Sequence, residues 1–252
     1  MHDVMLLPGA VLPADLAYAA LVEALGEDVD AVAKDLEVYA GDQPPAGYSL
    51  DTEIAGVLRE ADRQGWERFH LVGYSAGGAS ALATAARHGG RLSSLALLEP
   101  AWAGDFDLSP AEQRYWRESG EVEGFPDDEF MAAFVRHENA PGVDPPAPPP
   151  GPPPPWMATR PAGIRAVLRA FEAFDLGSET LRRFGRPVYY ALGSLSNPDH
   201  YAEIAERLSG VFGDFTLEVF ENRHHFDPPH RIEPQRVARS LRALWERAEA
   251  SG

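Results

Sequence analysis

Phe69-His70-Leu71-Val72-Gly73-Tyr74-Ser75-Ala76-Gly77-Gly78 is the stretch whose reading decides the fold. Residues 69–72 are a short apolar-leaning run of strand type. Gly73-Tyr74-Ser75-Ala76-Gly77 fits G-x-S-x-G, and small side chains continue in a helical pattern over residues 76–86. Strand, sharp turn and helix in that order make a nucleophile elbow. The spacing has a steric reason. The turn holds Ser75 in a strained backbone conformation, and Gly73 and Gly77 must be small for strand and helix to approach. Ser75 then stands exposed at the carboxyl end of a sheet. The helix N-terminus behind it offers free N–H groups and a partial positive charge to a developing oxyanion.

Upstream of the elbow, residues 4–7 read as a first strand, and Pro8-Gly9-Ala10 turns away from its end. Residues 15–25 carry Leu16, Ala19, Ala20 and Leu25 at helical spacing. Residues 35–39 are expected as a second short strand, entering a loop rich in Gly and Pro over 41–47. Residues 50–64 form an amphipathic helix with Ile54, Val57, Leu58 and Ala61 on one side, stopped by Gly65. Downstream, residues 95–98 are a buried-type strand ending in Glu99-Pro100. The alternation predicts an α/β fold, with a mostly parallel central sheet and helices on both faces.

From residue 101 to 186 the pattern changes. Helices are expected near 110–118, 127–137 and 160–174, with no strong strand among them. Residues 141–155 are mostly Pro with Gly and Ala, which allows only extended polyproline or coil. We read 101–186 as a helical cap inserted into a sheet domain made of 1–100 and 187–252. The Pro-rich piece reads as a stiff connection within that cap rather than a ligand for a partner. Strands at 187–192 and 215–220 flank a helix near 201–208, and a helix at 234–248 closes the chain.

Composition narrows the function. A chain of 252 residues is long enough for one large α/β domain with an insertion. Its formal net charge of -17 argues against nucleic acid and anionic membranes as partners. It has no cysteine, which excludes thiol catalysis, disulfides and Cys-ligated metals. No apolar run is long enough to span a membrane. The apolar stretch at 4–11 lacks a basic segment before it and is broken by Pro8-Gly9, so it is not read as a signal peptide. A cytoplasmic location is the default expectation.

A serine alone is a weak nucleophile at neutral pH. It needs an adjacent base, and the base needs an orienting carboxylate. The base is expected on the loop after the last strand, which opens at the same sheet edge as the elbow. His224 and His225 sit there, and two adjacent side chains cannot both point inward. His230 follows further along. His70 lies inside the elbow strand and reads as a partly buried polar residue. The histidines lack a set of carboxylate partners for a metal, so neither metal nor cofactor is expected.

These motifs, in this order and over nearly the whole chain, resemble the α/β-hydrolase fold superfamily. Leu6-Leu7-Pro8-Gly9-Ala10 is similar to the family's strand and His-Gly oxyanion loop, with Pro8 in place of the usual His. The match implies the backbone N–H groups of Ala10 and Ala76 as oxyanion donors. Lys34-Asp35-Leu36-Glu37-Val38-Tyr39 is similar to the family's Asp-Leu-Arg-Gly-Tyr-Gly segment. Arg223-His224-His225-Phe226 is similar to its Gly-His-Phe, which implies His225 as the base and leaves His224 as the alternative. By the same match, the chain begins at what would be the family's third strand.

The resemblance offers two places for the acid. In many relatives it is an Asp three residues beyond a Gly, after the strand that follows the cap. Here Gly193 is followed at that distance by Ser196, and the nearest carboxylate is Asp199. Other relatives carry the acid at the tip of the strand before the cap, where Glu99 stands. Asp199 also fits a helix N-cap, so Glu99 is the expected acid and Asp199 the alternative.

The implied function is a serine hydrolase cleaving a carboxylic ester, thioester or lactone through an acyl-enzyme on Ser75. An acyltransferase or a cofactor-free peroxidase of the same fold would use the same residues. A non-catalytic ligand-binding member is the reading from another class, disfavoured by an intact Ser-His pair. Serine rather than Asp at the elbow argues against haloalkane dehalogenase or epoxide hydrolase chemistry. The cap carries Trp102, Phe106, Tyr115, Trp116, Phe130, Phe134, Trp156 and Met157, most of them expected in its core and a few facing a pocket for a small to medium apolar acyl or aromatic substrate; Tyr74, Trp102, Phe106 and Trp156 are the residues expected to line it.

Overall fold

The computed structural model describes residues 2–144 and 150–250. In chain order, β1 (His2–Leu7) leads through α1 (Ala14–Leu25), β2 (Val29–Ala33), α2 (Leu50–Gln64), β3 (Phe69–Ser75) and α3 (Ala76–His88) to β4 (Leu92–Pro100). Four helices follow: α4 (Pro110–Glu123), α5 (Asp127–His137), α6 (Arg160–Ala173) and α7 (Ser178–Arg182). The chain then returns to β5 (Val188–Gly193), α8 (Glu203–Ser209), β6 (Phe215–Phe220), α9 (Pro229–Ile232) and α10 (Pro234–Ala250). The strands form one six-stranded sheet in the order β2-β1-β3-β4-β5-β6, with every adjacent pair parallel.

Successive side chains of a strand point to opposite faces, so a strand covered on both sides must be apolar throughout. Val4, Leu6, Val72, Ala96, Leu98 and Ala191 pack with Tyr18 and Leu21 of α1 and with Leu241 and Trp245 of α10. Met5, Leu7, Leu71, Leu95, Leu97 and Tyr190 face the other way, with Ile54 and Val57 of α2, Leu82 of α3 and Leu208 of α8. No helix among the described residues is long and apolar enough to cross a membrane.

Two expectations from the sequence are corrected. The second strand is Val29–Ala33, and residues 35–39 are not extended. There Glu37–Tyr39 winds into a short 3-10 turn. The buried Glu53 of α2 accepts the N–H groups of Glu37 (2.9 Å) and Val38 (3.1 Å), which would otherwise seek a strand partner. In α1 the buried stripe is Ala14, Ala17, Tyr18, Leu21 and Leu25. Leu16 is 52% exposed. Tyr18 sets that face, because its hydroxyl donates to the Leu7 carbonyl at 2.7 Å.

Helices α4 to α7 all lie between β4 and β5. Ser109 and Glu112 cap the start of α4 reciprocally, with Pro110 at its first position. Glu112 is also ion-paired to Arg207 of α8 at 2.7 Å, which fastens the helical segment to the sheet domain. Of the Pro-rich stretch 141–155, residues 145–149 lie outside the described residues. Its end opens the 3-10 segment Pro155–Thr159.

Candidate active site

The elbow has the geometry its glycines demand. Ser75 sits at φ 52 and ψ -121, a conformation an L residue adopts only when its surroundings enforce it. A Cβ on Gly73 would lie 2.3 Å from the Gly77 carbonyl oxygen, and one on Gly77 would lie 2.4 Å from the Leu7 carbonyl oxygen. Neither fits. The turn is tied on both sides, by Gly77 N–H to the Pro8 carbonyl (3.0 Å) and Ala101 N–H to the Ser75 carbonyl (2.9 Å). Since α3 begins at Ala76, the Ala76 N–H is one of the helix's free N-terminal donors.

The neighbouring strand supplies the carboxylate. Tyr74 pairs with Leu98 but Ser75 pairs with Pro100, so one extra residue, Glu99, bulges at the tip of β4. Its φ is 49. Glu99 Oε1 accepts from Gly193 N–H and from the Ser196 hydroxyl, both at 2.6 Å. Its Oε2 lies 2.9 Å from His225 Nδ1. His225 Nε2 lies 3.1 Å from Ser75 Oγ. Because an ionised carboxylate only accepts, the proton belongs on Nδ1, which leaves the Nε2 lone pair facing the serine. Ser75, Glu99 and His225 are 6%, 1% and 1% exposed.

Aromatic rings hold the imidazole. Tyr201 stacks on it at 4.4 Å and 15°, and Tyr74 lies against it at 5.0 Å and 31°. The Tyr74 hydroxyl donates to the His225 carbonyl. Tyr201 Oη lies 3.1 Å from Nε2. In a stacked pair that contact comes from the ring face, so the in-plane lone pair stays with Ser75. Tyr201 gives its own proton to Glu138 Oε2, and Tyr115 gives its proton to Glu138 Oε1 at 2.9 Å.

Ala10 lies on the loop after β1, beside Ser75 and Ala76 in the wall of the same cavity. Its carbonyl accepts from the Tyr39 hydroxyl at 2.6 Å, and the next carbonyl, of Val11, accepts from Arg160 Nε at 2.7 Å. The Arg160 guanidinium covers the Tyr39 ring at 3.8 Å. Tyr39 and Arg160 thus brace this loop, in which Pro8 stands where the resemblance expects His.

The cavity beside Ser75 is about 20 Å³, room for little more than one water. The helical segment contributes Tyr115, Phe134, Glu138, Ile164 and Leu168 to its lining. The four aromatic residues expected there are not among the lining residues. Trp102 stacks flat on Phe171 at 5.6 Å, with its indole N–H on Asp105 at 2.9 Å. Phe106 lies under the Arg207 guanidinium and Trp156 under that of Arg160. Tyr74 is beneath His225. The aromatic rings that do face the space are those of Tyr115, Phe134 and Phe171, beside the aliphatic Ile164, Val167 and Leu168.

The remaining candidates stand elsewhere. Asp199 Oδ2 pairs with Arg114 Nε at 2.9 Å on the surface. It is not the N-cap, a role taken by Asn197, whose side chain accepts from Asp199 N–H at 3.1 Å. His224 Nδ1 accepts from the Phe226 N–H at 3.2 Å, and burial lowers its pKa. His230 is packed between Tyr18 and Tyr74 without a polar partner at either nitrogen, and burial pushes it down to about 3. His70 meets the Ser94 hydroxyl at 2.8 Å, and burial takes it to about 3 as well. Among the described residues no group of three or more His, Asp or Glu is arranged to hold a metal.

Sequence reasoning gave Ser196 no role and missed Tyr201 and Glu138. Ser196 was detectable. It stands where many relatives carry their Asp, and here it donates to Glu99, which comes from another strand. Tyr201 and Glu138 carry no local signal, since they meet each other and Tyr115 only through the packing of α4 and α5 on the loop after β5.

No curated protein matches this chain. Among solved structures it is similar to a bacterial membrane phospholipase A, with 23% identity, a TM-score of 0.69, and coverage of 98% of this chain and 79% of that one. It is similar to a thermophilic esterase from Thermogutta terrifontis, with 18% identity, a TM-score of 0.72 and coverage of 98% and 90%. A carboxylesterase from Bacillus subtilis is also similar, with 17% identity, a TM-score of 0.67 and coverage of 96% and 83%. These likenesses speak to the fold. The sequence model described as the alpha/beta hydrolase family matches residues 4–240, which takes in the elbow, the bulged tip of β4 and the loop of His225, and the chain therefore belongs to that family.

Proposed function

We propose that the protein is a serine hydrolase that cleaves a carboxylic ester, thioester or lactone through an acyl-enzyme on Ser75. The observation that carries this reading is the buried hydrogen-bonded run from Ser75 Oγ through His225 to Glu99, at an elbow that faces a cavity. The ester class is also that of the two esterases among the similar structures.

In this reading, Ser75 Oγ attacks the carbonyl carbon while His225 Nε2 takes its proton. The charge that grows on the carbonyl oxygen is met by the N–H groups of Ala76 and Ala10. One such donor is worth roughly 3–4 kcal/mol in the transition state. Glu99, held by Gly193 and Ser196, keeps the imidazole oriented and balances its positive charge. Nε2–H then protonates the leaving group. Water, deprotonated by the same nitrogen, releases the acyl group. Helices α4 to α7 act as a cap, and a space of about 20 Å³ requires α5 and α6 to shift before a substrate enters.

Labelling with a fluorophosphonate probe tests the reading. One phosphonyl group is expected on Ser75, with no labelling of Ser75→Ala. An unlabelled wild-type protein that also fails to turn over p-nitrophenyl esters, acyl-CoA thioesters and lactones would remove this function.

A further inference from the structure

The cavity wall beside the nucleophile contains a carboxylate with no countercharge. Glu138 is 4% exposed and lines the same cavity as Ser75. It is the residue that follows α5, at its C-cap, and its backbone is fixed. Its carbonyl accepts from Asn197 N–H at 2.9 Å, the Ala140 N–H donates to the Leu195 carbonyl at 2.9 Å, and Asn139 bridges Ser196 between them. Both carboxylate oxygens accept a phenol proton, from Tyr115 and Tyr201. An ionised carboxylate has about four acceptor sites, so two remain.

Of the other buried carboxylates, Glu112 faces Arg207 at 2.7 Å and Glu99 faces His225 at 2.9 Å, while Glu53, away from the cavity, is held by three neutral donors, the N–H groups of Glu37 and Val38 and the Tyr48 hydroxyl. Among the described residues no Lys, Arg or His stands in ion-pair range of Glu138. A buried carboxylate whose only support is two neutral hydroxyls is expensive to keep. The rest of the wall around it is apolar, from Phe134, Ile164 and Leu168.

The position of Glu138 relates it to one end of a substrate. Tyr201 touches both Glu138 and His225 Nε2. Only the Tyr201 hydroxyl therefore stands between Glu138 and the nitrogen that protonates the leaving group. We propose that Glu138 is a recognition site for a protonated amine carried on the leaving group of the substrate. The ammonium supplies the absent countercharge and donates its N–H to a free carboxylate lone pair, while its alkyl arms lie on the apolar wall. The proposal rests on the serine-hydrolase reading and names the substrate class for that same site.

The test compares two esters of nearly equal shape, 2-(dimethylamino)ethyl butyrate and 3-methylbutyl butyrate, at pH 7. The readout is the ratio of their kcat/KM values within one protein, so a general loss of activity cancels. The wild type is expected to prefer the amino ester by roughly tenfold or more. Glu138→Gln is expected to bring the ratio close to one, and Glu138→Asp to keep part of the preference. A second measurement needs neither turnover nor a variant. 2-(Dimethylamino)ethanol is expected to slow fluorophosphonate labelling of wild-type Ser75 at a concentration at least about tenfold below that needed with 3-methylbutan-1-ol. A ratio near one in the wild type, a preference that survives Glu138→Gln, or equal protection by the two alcohols overturns the proposal. If Ser75 is labelled in those cases, only the role of Glu138 falls; if Ser75 is never labelled, the serine-hydrolase reading fails with it.

Discussion

Ser75 and Glu99 stand at the ends of β3 and β4, and His225 on the loop after β6, whereas Phe134, Glu138, Ile164 and Leu168 come from the helical segment between β4 and β5. The first group is positioned by backbone. Parallel pairing sets β3 against β4, the shift at Ser75 opens the bulge at Glu99, and both residues have positive φ. The second group is positioned mainly by side chains, through contacts such as Arg207 on Glu112 and Asn197 Nδ2 on the His137 carbonyl at 2.7 Å, and only Glu138 is also tied to the sheet domain by backbone hydrogen bonds, to the loop after β5. Backbone register tolerates changes in neighbouring side chains, and side-chain packing does not. In the proposed reading, chemistry placed on the sheet and selection placed on the helices can therefore vary separately.

The sharpest way to break this division is at the sheet. Ser75→Ala should lower kcat by roughly six powers of ten, with the melting curve unchanged, because only binding and the oxyanion donors remain. His225→Asn should match it, whereas His224→Asn should leave turnover within a few-fold. Equal losses at 224 and 225 would undo the assignment of the base. Next in size is the acid. Glu99→Gln should cost roughly three to four powers of ten in kcat, through loss of the orienting acceptor for His225. Asp199→Asn removes only a surface pair with Arg114, worth about 1 kcal/mol or less, and should leave turnover near wild type. Steady-state kinetics of the two variants in parallel decide between them.

A change on the helical side should move preference rather than rate. Leu168 lines the cavity and is only partly buried. In a series of alkyl butyrates, Leu168→Ala should shift the best ester to a longer alcohol, by roughly tenfold in kcat/KM ratio, since one methylene is worth at least about that much in an apolar pocket. Unchanged preference across the series would mean that this wall does not meet the leaving group.

The smallest effect concerns stability. Burial holds His230 at about 3 in the folded chain, against about 6.5 when unfolded. Between those values the unfolded chain binds a proton that the folded chain refuses. Stability is thus full above about pH 6.5 and falls toward pH 3, by about 1.4 kcal/mol per pH unit for this residue. His70 is lowered in the same direction. Replacing His230 with Phe should narrow the difference in Tm between pH 7.5 and pH 5 by roughly 5 °C. A pH profile of Tm identical to wild type would exclude His230 as a source of acid sensitivity.

Much of the frame was legible. β3, α3 and their turn follow from a short apolar-leaning run at 69–72, a G-x-S-x-G turn and small residues after it, all within one local stretch. β2 was not. Val29–Ala33 and the run at 35–39 look alike as edge strands, and what separates them is non-local. The first pairs with β1 in register, and the second has its N–H groups taken by Glu53. Pocket aromatics were misplaced for a related reason. Hydropathy marks Trp102 and Phe106 for burial, but not whether they are buried against a cavity or against each other.

The sequence by itself determined the parallel α/β frame, the elbow and the residue types that stand at it, because strand and helix periodicity and a turn's need for glycine act over a few neighbouring residues. Only the tertiary structure decided which partners meet. Ser75 and His225 are 150 residues apart, and Glu99 and His225 are 126 apart. It also brought Glu138 to the wall beside the nucleophile and gave Ser196 to Glu99. Contacts of that span depend on sheet register, on a one-residue bulge and on how a helical segment seats over the strand ends. No local pattern of side chains encodes those three things.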